Sequence, residues 1–266
     1  MSDIRGVLID LDGVMYTGRT PVPGAREAIS ILEERGFSYR FLSNTTRNCR
    51  HTIAQKLALM GLPIPESLIF TPAVAASRYL KNSGRHNYRF LITGDVIRDF
   101  PKNERKSQQQ KTDLVIIGDA GDEFTYANLN GAFRDLVDGA DLIALERDQY
   151  WMTSEGLSLS AGPFVTALES ATGKKALLMG KPSRAFFDLA LGDMGLEARD
   201  AVMIGDDIAT DVGGAQEAGL RGVLVRTGKY REDIAKKSAI RPDMVLDSIA
   251  DIEKVVEAAD LGRWER

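Results

Sequence analysis

Short apolar runs alternate with helical patterns along most of this chain of 266 residues. The run over residues 6–9 predicts a strand that is buried on both faces, and a helical pattern follows Gly24 and ends near Gly36. Residues 39–42 predict the next strand, and residues 48–60 predict the next helix. Because a strand–helix–strand order implies a parallel sheet with right-handed crossovers, the sequence predicts an α/β fold.

The alternation of strands and helices returns near the C-terminus, and the middle of the chain contains a separate series of alternating strands and helices. The further predicted elements are strands over 90–92, 114–117, 142–145, 176–179, 201–204 and 222–225, helices over 211–218 and 248–259, a helix that begins at Pro182, and an exposed polar loop over 101–112. We therefore expect a discontinuous core, residues 1–71 and 179–266, with an α/β module inserted over residues 72–178.

Composition excludes several classes of protein. Hydrophobic residues make up 44% of the chain and charged residues 27%, which is typical of a globular protein and not of a disordered one. The net charge of −4 disfavours a nucleic-acid-binding protein. No apolar run reaches the ~18 residues of a membrane helix, and Asp10 and Asp12 interrupt the apolar stretch that a signal peptide would need. With Cys49 as the single cysteine, we expect a cytoplasmic protein without membrane or nucleic-acid partners.

Acidic residues follow two of the predicted strands directly. The first strand ends in Asp10-Leu11-Asp12-Gly13, and a late strand is followed by Gly205-Asp206-Asp207, with Asp211 four residues after Asp207. Ligands of parallel α/β sheets bind beyond the carboxyl ends of the strands, where these side chains would meet. Carboxylate oxygens are ligands that suit Mg²⁺, so the two clusters together predict a magnesium site.

The competing interpretation is that these aspartates only cap helices and form turns. Capping is the favoured interpretation for either cluster alone. A magnesium site is favoured when both clusters occur in one chain. An EF-hand is excluded at Asp10 because Met15 stands where glycine is needed and Pro21 where glutamate is needed. Neither the dinucleotide-binding glycine pattern nor the P-loop pattern occurs in the sequence.

Two further elements could complete a site for an anionic substrate. The second predicted strand ends in Ser43-Asn44, where a hydroxyl and backbone N–H groups can bind phosphate oxygens. Lys181 follows a short predicted strand and could neutralise an anion beside the aspartates. Each signal is weak alone, because such residues also cap helices or lie on solvated surfaces.

These elements stand in a fixed order along the chain: D-x-D-G, a Ser/Thr segment after the second strand, a lone lysine, and G-D-D-x-x-x-D. In this order they resemble the haloacid dehalogenase (HAD) superfamily of phosphohydrolases. The large insert between the Ser/Thr segment and the lysine resembles the class IIA cap domains of that superfamily. The resemblance implies a Rossmann-like parallel-sheet core with an inserted α/β cap that closes over the site and selects the substrate. Within the cap, we expect residues 119–122 and 151–162 to contact the substrate.

The resemblance also implies a role for each candidate residue. Asp10 is expected to be the nucleophile and Asp12 the general acid and base. Mg²⁺ is expected to bind Asp10, the backbone carbonyl of Asp12 and Asp206, with Asp207 and Asp211 holding its waters. Ser43, the backbone at Asn44 and Lys181 are expected to bind the phosphoryl oxygens. Lys181 is also expected to be catalytic, because it would lessen the repulsion among the aspartates.

The expected activity is a Mg²⁺-dependent phosphatase acting on small phosphorylated metabolites through an aspartyl-phosphate. The alternatives are a pyrophosphate or phospho-amino-acid (phospholysine, phosphohistidine) phosphatase, a carbon–halogen hydrolase, and a catalytically silent protein that binds phosphorylated ligands. The resemblance further implies a homodimer formed through the cap.

Overall fold

The computed structural model describes residues 4–104, 110–153 and 155–264. Its strands are β1 Gly6–Asp10, β2 Tyr16–Thr17, β3 Thr20–Pro21, β4 Ser38–Leu42, β5 Ile69–Phe70, β6 Tyr88–Leu91, β7 Leu114–Ile117, β8 Asp141–Ala144, β9 Tyr150–Thr153, β10 Gly156–Leu159, β11 Leu177–Leu178, β12 Ala201–Gly205, β13 Arg221–Val225 and β14 Met244–Leu246. Its α-helices are α1 Ala25–Glu34, α2 Arg50–Leu59, α3 Pro72–Ser83, α4 Tyr126–Val137, α5 Gly162–Thr172, α6 Arg184–Met194, α7 Gly214–Ala218, α8 Glu232–Lys237 and α9 Ile252–Asp260. The predicted α/β fold is confirmed.

The chain divides into two compact units. The first unit comprises Met1–Ser43, Ile53–Phe70 and Lys181–Arg266, and the second comprises Asn44–Thr52 and Thr71–Gly180. The segment Asn44–Thr52 belongs with the second unit, where the backbone N–H of Cys49 donates to Asp95 Oδ1 over 2.8 Å. The sequence-based domain boundaries stay a prediction.

The first unit is built on a parallel sheet in the order β14-β13-β12-β1-β4-β5. Its central strand β1 is buried along its whole length, because helices cover both faces of a parallel sheet. The adjacent β12 is equally buried. This pairing brings Asp10, the last residue of β1, and Gly205, the last residue of β12, to the same edge of the sheet.

The second unit contains its own parallel sheet, in the order β11-β8-β7-β6, and an antiparallel hairpin of β9 and β10. Strand β7, with the sequence Leu-Val-Ile-Ile, is fully buried at the centre of that sheet. Helices α4 and α5 pack their apolar residues against it, with Ala132, Leu136 and Val165 in the same core.

Several predicted boundaries are corrected by the structure. The helix predicted over 211–218 begins earlier, with a π-helical turn over Ile208–Gly213 that continues into α7. Pro182 does not begin a helix, since α6 begins at Arg184 after the N-cap Ser183. The helix predicted over 248–259 is a 3₁₀ turn at Ile249–Asp251 followed by α9.

The polar loop predicted over 101–112 lies partly outside the described residues, because 105–109 are not among them. Among the helices of the described ranges, none combines the length and apolar character of a membrane span.

Candidate active site

Three buried aspartates converge at the carboxyl edge of the sheet in the first unit. Asp10 ends β1, Asp206 follows β12, and Asp211 lies in the π-helical turn beyond it. One carboxylate oxygen from each lies within 4.8 Å of the others. Segments about two hundred positions apart therefore form one oxygen-rich cluster that could hold a metal ion.

Lys181 completes the cluster with a positive charge. Its Nζ lies 2.5 Å from Asp10 Oδ1 and 2.6 Å from Asp211 Oδ1. The exposed fractions of the four residues are 7% for Asp10, 7% for Lys181, 2% for Asp206 and 1% for Asp211. Because these charges are removed from water, their mutual interactions are stronger than those of a surface ion pair.

The segment after β12 explains why Gly205 precedes the second acidic cluster. A Cβ atom at Gly205 would lie 2.2 Å from the Cβ of Asp211, so only glycine lets the Asp211 side chain approach the strand this closely. Asp211 Oδ2 in turn accepts the backbone N–H of Asp207 over 3.1 Å. Both oxygens of Asp211 are thus engaged, one by Lys181 and one by this N–H.

Asp207 caps the helical turn. Its Oδ1 accepts the backbone N–H groups of Ala209 and Thr210 over 2.9 and 3.0 Å. This is the N-cap role that aspartate commonly has where a strand leads into a helix. The capping explains the position of Asp207 by itself, and its expected contact with a metal-bound water stays a prediction.

The electrostatics of the cluster favour a bound cation. Burial raises the pKa of Asp10 to about 7; the charge of Lys181 opposes the rise, and those of Asp211 and Asp206 add to it. Burial likewise raises the pKa of Asp206 to about 6, and the hydrogen bond from the backbone N–H of Lys229 opposes this rise. Burial acts to lower the pKa of Lys181, but the charges of Asp10 and Asp211 outweigh it and hold that pKa above its usual range. Burial is thus the largest cause of both raised pKa values. When all four groups are ionised, three carboxylates share the buried cluster with one ammonium group, and a cation would offset the remaining negative charge.

The other predicted site residues lie in different settings. Asp12 is exposed and pairs with Tyr16 in an isolated β-bridge. Ser43 follows β4, the strand beside β1, and its N–H donates to the carbonyl of Phe70 over 3.2 Å. Asn44 belongs to the second unit.

Comparison with known proteins identifies the family to which the chain is related. A model described as haloacid dehalogenase-like hydrolase matches residues 7–103, and one described as HAD-hydrolase-like matches residues 178–252. The chain is 38% identical to human phospholysine phosphohistidine inorganic pyrophosphate phosphatase, over 98% of this chain and 97% of that protein. It is 42% identical to haloacid dehalogenase-like hydrolase domain-containing protein 2 of Bos taurus, over 86% of each.

The chain belongs to the haloacid dehalogenase-like hydrolase family. Solved structures agree with this assignment. The 4-nitrophenylphosphatase of Thermotoga maritima is 27% identical with a TM-score of 0.85, covering 95% of this chain and 97% of that one. NagD from E. coli is 25% identical with a TM-score of 0.82, and the match covers 93% of this chain and 98% of that one. The expected HAD fold of class IIA is thereby confirmed.

One part of the hydrolase site was missed by the sequence analysis. The backbone N–H of Lys229 donates to Asp206 Oδ2 over 2.6 Å, and the Thr227 hydroxyl donates to the carbonyl of Gly13 over 2.5 Å. These residues follow β13, the strand next to β12. The available signal was a Thr-Gly pair two positions after a buried strand, at the same sheet edge as both acidic clusters.

The second unit of the hydrolase contains an open cleft of about 640 Å³. The Arg47 guanidinium lies 4.9 Å from the centroid of the Trp151 ring and forms two hydrogen bonds with Asp119, of 2.6 and 3.0 Å. The rings of Phe124 and Phe164 stack with centroids 3.8 Å apart. The remaining lining residues are Thr93, Ala120, Gly121, Asp122, Glu123, Glu155, Ser158 and Leu159. The cleft therefore combines aromatic surface with acidic side chains, and Arg47 in its lining is already paired with Asp119.

Proposed function

We propose that this hydrolase is a Mg²⁺-dependent phosphatase that acts on small phosphorylated metabolites through an aspartyl-phosphate on Asp10. The observation that carries the proposal is the buried cluster in which ligand atoms of Asp10, Asp206 and Asp211 lie within 4.8 Å and Lys181 contacts two of the three carboxylates. A nucleophilic carboxylate beside a cation site and a lysine suits attack on a phosphate ester.

The residues present fit a small divalent cation. The donor set consists of hard carboxylate oxygens. Burial, with a smaller contribution from neighbouring aspartates, raises the pKa values of Asp10 and Asp206 to about 7 and about 6. Asp10, Asp206 and the carbonyl of Asp12 would hold Mg²⁺. Asp211, whose two oxygens are already engaged, would act through water, as would Asp207. When bound, the ion would neutralise charge on the phosphoryl group and let an anionic nucleophile approach.

The chain's own residues would carry the chemistry in two steps. Asp10 attacks phosphorus, the bond to the leaving oxygen breaks, and Asp12 donates a proton to that oxygen. Asp12 then takes a proton from water as the water attacks the aspartyl-phosphate, which releases phosphate and restores Asp10. Ser43, the backbone at Asn44 and Lys181 would hold the phosphoryl oxygens.

The second unit would serve as a cap that selects the substrate. The residues that line its cleft indicate which organic groups a substrate would carry. Asp122, Glu123 and Glu155 would repel an anionic organic group. The aromatic rings of Trp151 and Phe124 would favour a neutral or cationic one. We therefore expect phosphate esters or phosphoramidates with uncharged or amine-bearing organic parts to be better substrates than sugar bisphosphates.

Pyrophosphate and the phospho-amino acids form the second candidate class. The human relative with 38% identity is named for phospholysine, phosphohistidine and inorganic pyrophosphate. The acidic cleft favours the amine-bearing phospholysine over pyrophosphate within this class.

A homodimer through the cap is also proposed. Cross-strand pairs place Tyr150 opposite Leu159 and Met152 opposite Leu157, so these four side chains share one face of the hairpin. Their exposed fractions are 62%, 64%, 69% and 66%. An exposed apolar face of this kind favours association. Light scattering of the wild type and of Met152→Glu tests it, since the charge would dissociate a dimer formed through this face.

The function is tested by a phosphate-release screen with Mg²⁺ and with EDTA. The panel would hold sugar phosphates, nucleotides, pyridoxal phosphate, p-nitrophenyl phosphate, pyrophosphate and phospho-amino acids. Asp206→Asn should abolish the Mg²⁺-dependent activity, whereas Asp247→Asn, at an aspartate whose side chain is 74% exposed, should not. Activity that is unchanged by EDTA, or release of halide from haloacids, would support a dehalogenase. Binding of phosphorylated ligands without any turnover would support the silent binding protein.

A further inference from the structure

A third strand end contributes to the candidate site. Strand β13 ends at Val225, beside β12, and residues Thr227–Lys229 follow it. We call these three residues the brace segment. Its contacts reach both acidic motifs: the Thr227 hydroxyl donates to the carbonyl of Gly13 over 2.5 Å, and the Lys229 N–H donates to Asp206 Oδ2 over 2.6 Å.

The backbones of Gly13 and Gly228 lie directly against the Asp206 carboxylate. A Cβ atom built at Gly228 would lie 2.0 Å from Asp206 Oδ2 and 2.4 Å from the Cα of Gly13. A Cβ atom at Gly13 would lie 1.9 Å from the same oxygen. Both glycines have positive φ, +89° and +61°, which other residues rarely adopt. The carboxylate is thus held on one side by two backbone segments that only glycine allows to approach.

These contacts are polar and lie at the surface end of the strand. Val225 is buried in the apolar core, whereas Gly228 and Lys229 are exposed and Thr227 is half-buried. A segment needed only to cover the core would contact it through apolar side chains. The brace segment instead contacts the D-x-D-G turn and Asp206 through a hydroxyl and an N–H.

We propose that the brace segment positions the metal-binding carboxylate, with Thr227 as a positioning residue for the reaction. Lys229 N–H occupies Oδ2 of Asp206, so Oδ1 is the oxygen offered to the cation. The Thr227 hydroxyl fixes the Gly13 carbonyl and with it the turn that carries Asp12. This inference rests on the proposed function, because it assigns the segment to the same cation site.

Divalent-cation binding in the absence of substrate tests the proposal. Isothermal titration of the full chain with Mg²⁺ would compare the wild type with Thr227→Val, which keeps the side-chain shape but lacks the hydroxyl, and with Thr227→Ser, which restores it. Loss of one partly buried hydrogen bond predicts Mg²⁺ binding that is weaker by about 5- to 10-fold in Thr227→Val, with Thr227→Ser close to wild type. Lys236→Ala, at a lysine outside the brace segment whose side chain is 74% exposed, is the control and should bind Mg²⁺ like the wild type.

Kinetics separate positioning from a general loss of stability. In Thr227→Val, the Mg²⁺ concentration at half-maximal rate should rise by about the same factor as the dissociation constant, while kcat at saturating Mg²⁺ falls less. A change in kcat alone, with unchanged Mg²⁺ affinity, would overturn the proposal. So would equal weakening by Thr227→Ser and Thr227→Val.

A measurement on the wild type covers the case in which Thr227→Val does not fold. In an amide-resolved NMR titration, the Lys229 N–H resonance should shift as Mg²⁺ is added, because its acceptor carboxylate becomes a metal ligand. If the wild type binds Mg²⁺ without a shift of the Lys229 resonance, the result contradicts the role proposed for the brace segment and leaves the proposed metal dependence intact. A wild type that binds no Mg²⁺ contradicts the proposed metal dependence itself.

Discussion

The ammonium nitrogen of Lys181 lies 2.5 Å from Oδ1 of Asp10, although the two residues are 171 positions apart in the chain. Their side chains are 5% and 10% exposed, so the pair is nearly removed from solvent. A buried pair of this kind is costly to break, because the remaining charge has no water to stabilise it. The same lysine contacts Asp211, and its removal would leave the three carboxylates without their cation.

Replacement of Lys181 by Met should therefore destabilise the metal-free protein. The loss of a buried partner predicts a decrease in the free energy of unfolding of about 3 kcal/mol near pH 8. The decrease should be smaller near about pH 5, because protonation of Asp10 and Asp206 there relieves the repulsion between the carboxylates. Urea denaturation in EDTA measures both values. Lys236→Met, at an exposed lysine that pairs with Glu232 on the surface, serves as the control and should change stability little. Equal stability of Lys181→Met and the wild type would count against a buried ion pair.

The stability of the metal-free protein should fall as the pH rises. The pKa values of Asp10 and Asp206 are about 7 and about 6 in the folded chain, against an ordinary 3.8. A group whose pKa is raised on folding stabilises the protein below its unfolded pKa, and this contribution is lost as pH rises through the folded value. The loss from these two groups should therefore extend from about pH 4 to about pH 7.

Mg²⁺ should reverse this trend, because it competes with protons for the same oxygens. The increase in melting temperature on addition of Mg²⁺ should be larger near about pH 8 than near about pH 5. Asp206→Asn should show a smaller increase at both pH values, with Asp247→Asn as the matched control. A Mg²⁺ effect that is independent of pH would show that the ion binds elsewhere.

Asp12 is expected to matter most when the leaving group is poor. If Asp12 donates a proton to the leaving oxygen, Asp12→Asn should slow hydrolysis of an alkyl phosphate by about 10²–10⁴-fold and that of p-nitrophenyl phosphate much less. Steady-state rates on both substrates provide the test. Similar losses on the two would indicate that Asp12 positions groups and does not transfer the proton.

The sequence predicted the fold and the four clustered side chains because both depend on local patterns. The apolar runs that became β1 and β12 fix two adjacent strands, and residues that follow adjacent parallel strands meet at one edge of the sheet. Asp10, Asp206 and Lys181 could be proposed as neighbours for that reason.

What the sequence did not reveal depends on backbone geometry. The contact of Lys229 with Asp206 is made by a backbone N–H, which every residue except proline carries, so no residue type marks it. The capping contacts of Asp207 depend on where the helical turn begins, and that turn starts three residues earlier than predicted. The cleft in the second unit is lined by parts of the two segments expected to contact the substrate, 119–122 and 151–162. Nothing in the sequence indicated that Arg47 and Thr93 would join them, because neither lies in a pattern that marks a cleft.

Trapping the covalent intermediate shows whether Asp10 is the nucleophile of this cluster. The wild type would be mixed with p-nitrophenyl phosphate and Mg²⁺, quenched rapidly in acid, digested and examined by mass spectrometry. We expect a phosphoryl adduct on the peptide that contains Asp10 and no adduct in Asp10→Asn. Turnover by that variant should fall by at least about 10³-fold while its circular dichroism stays unchanged. An adduct on a different residue, or normal turnover by Asp10→Asn, would contradict it.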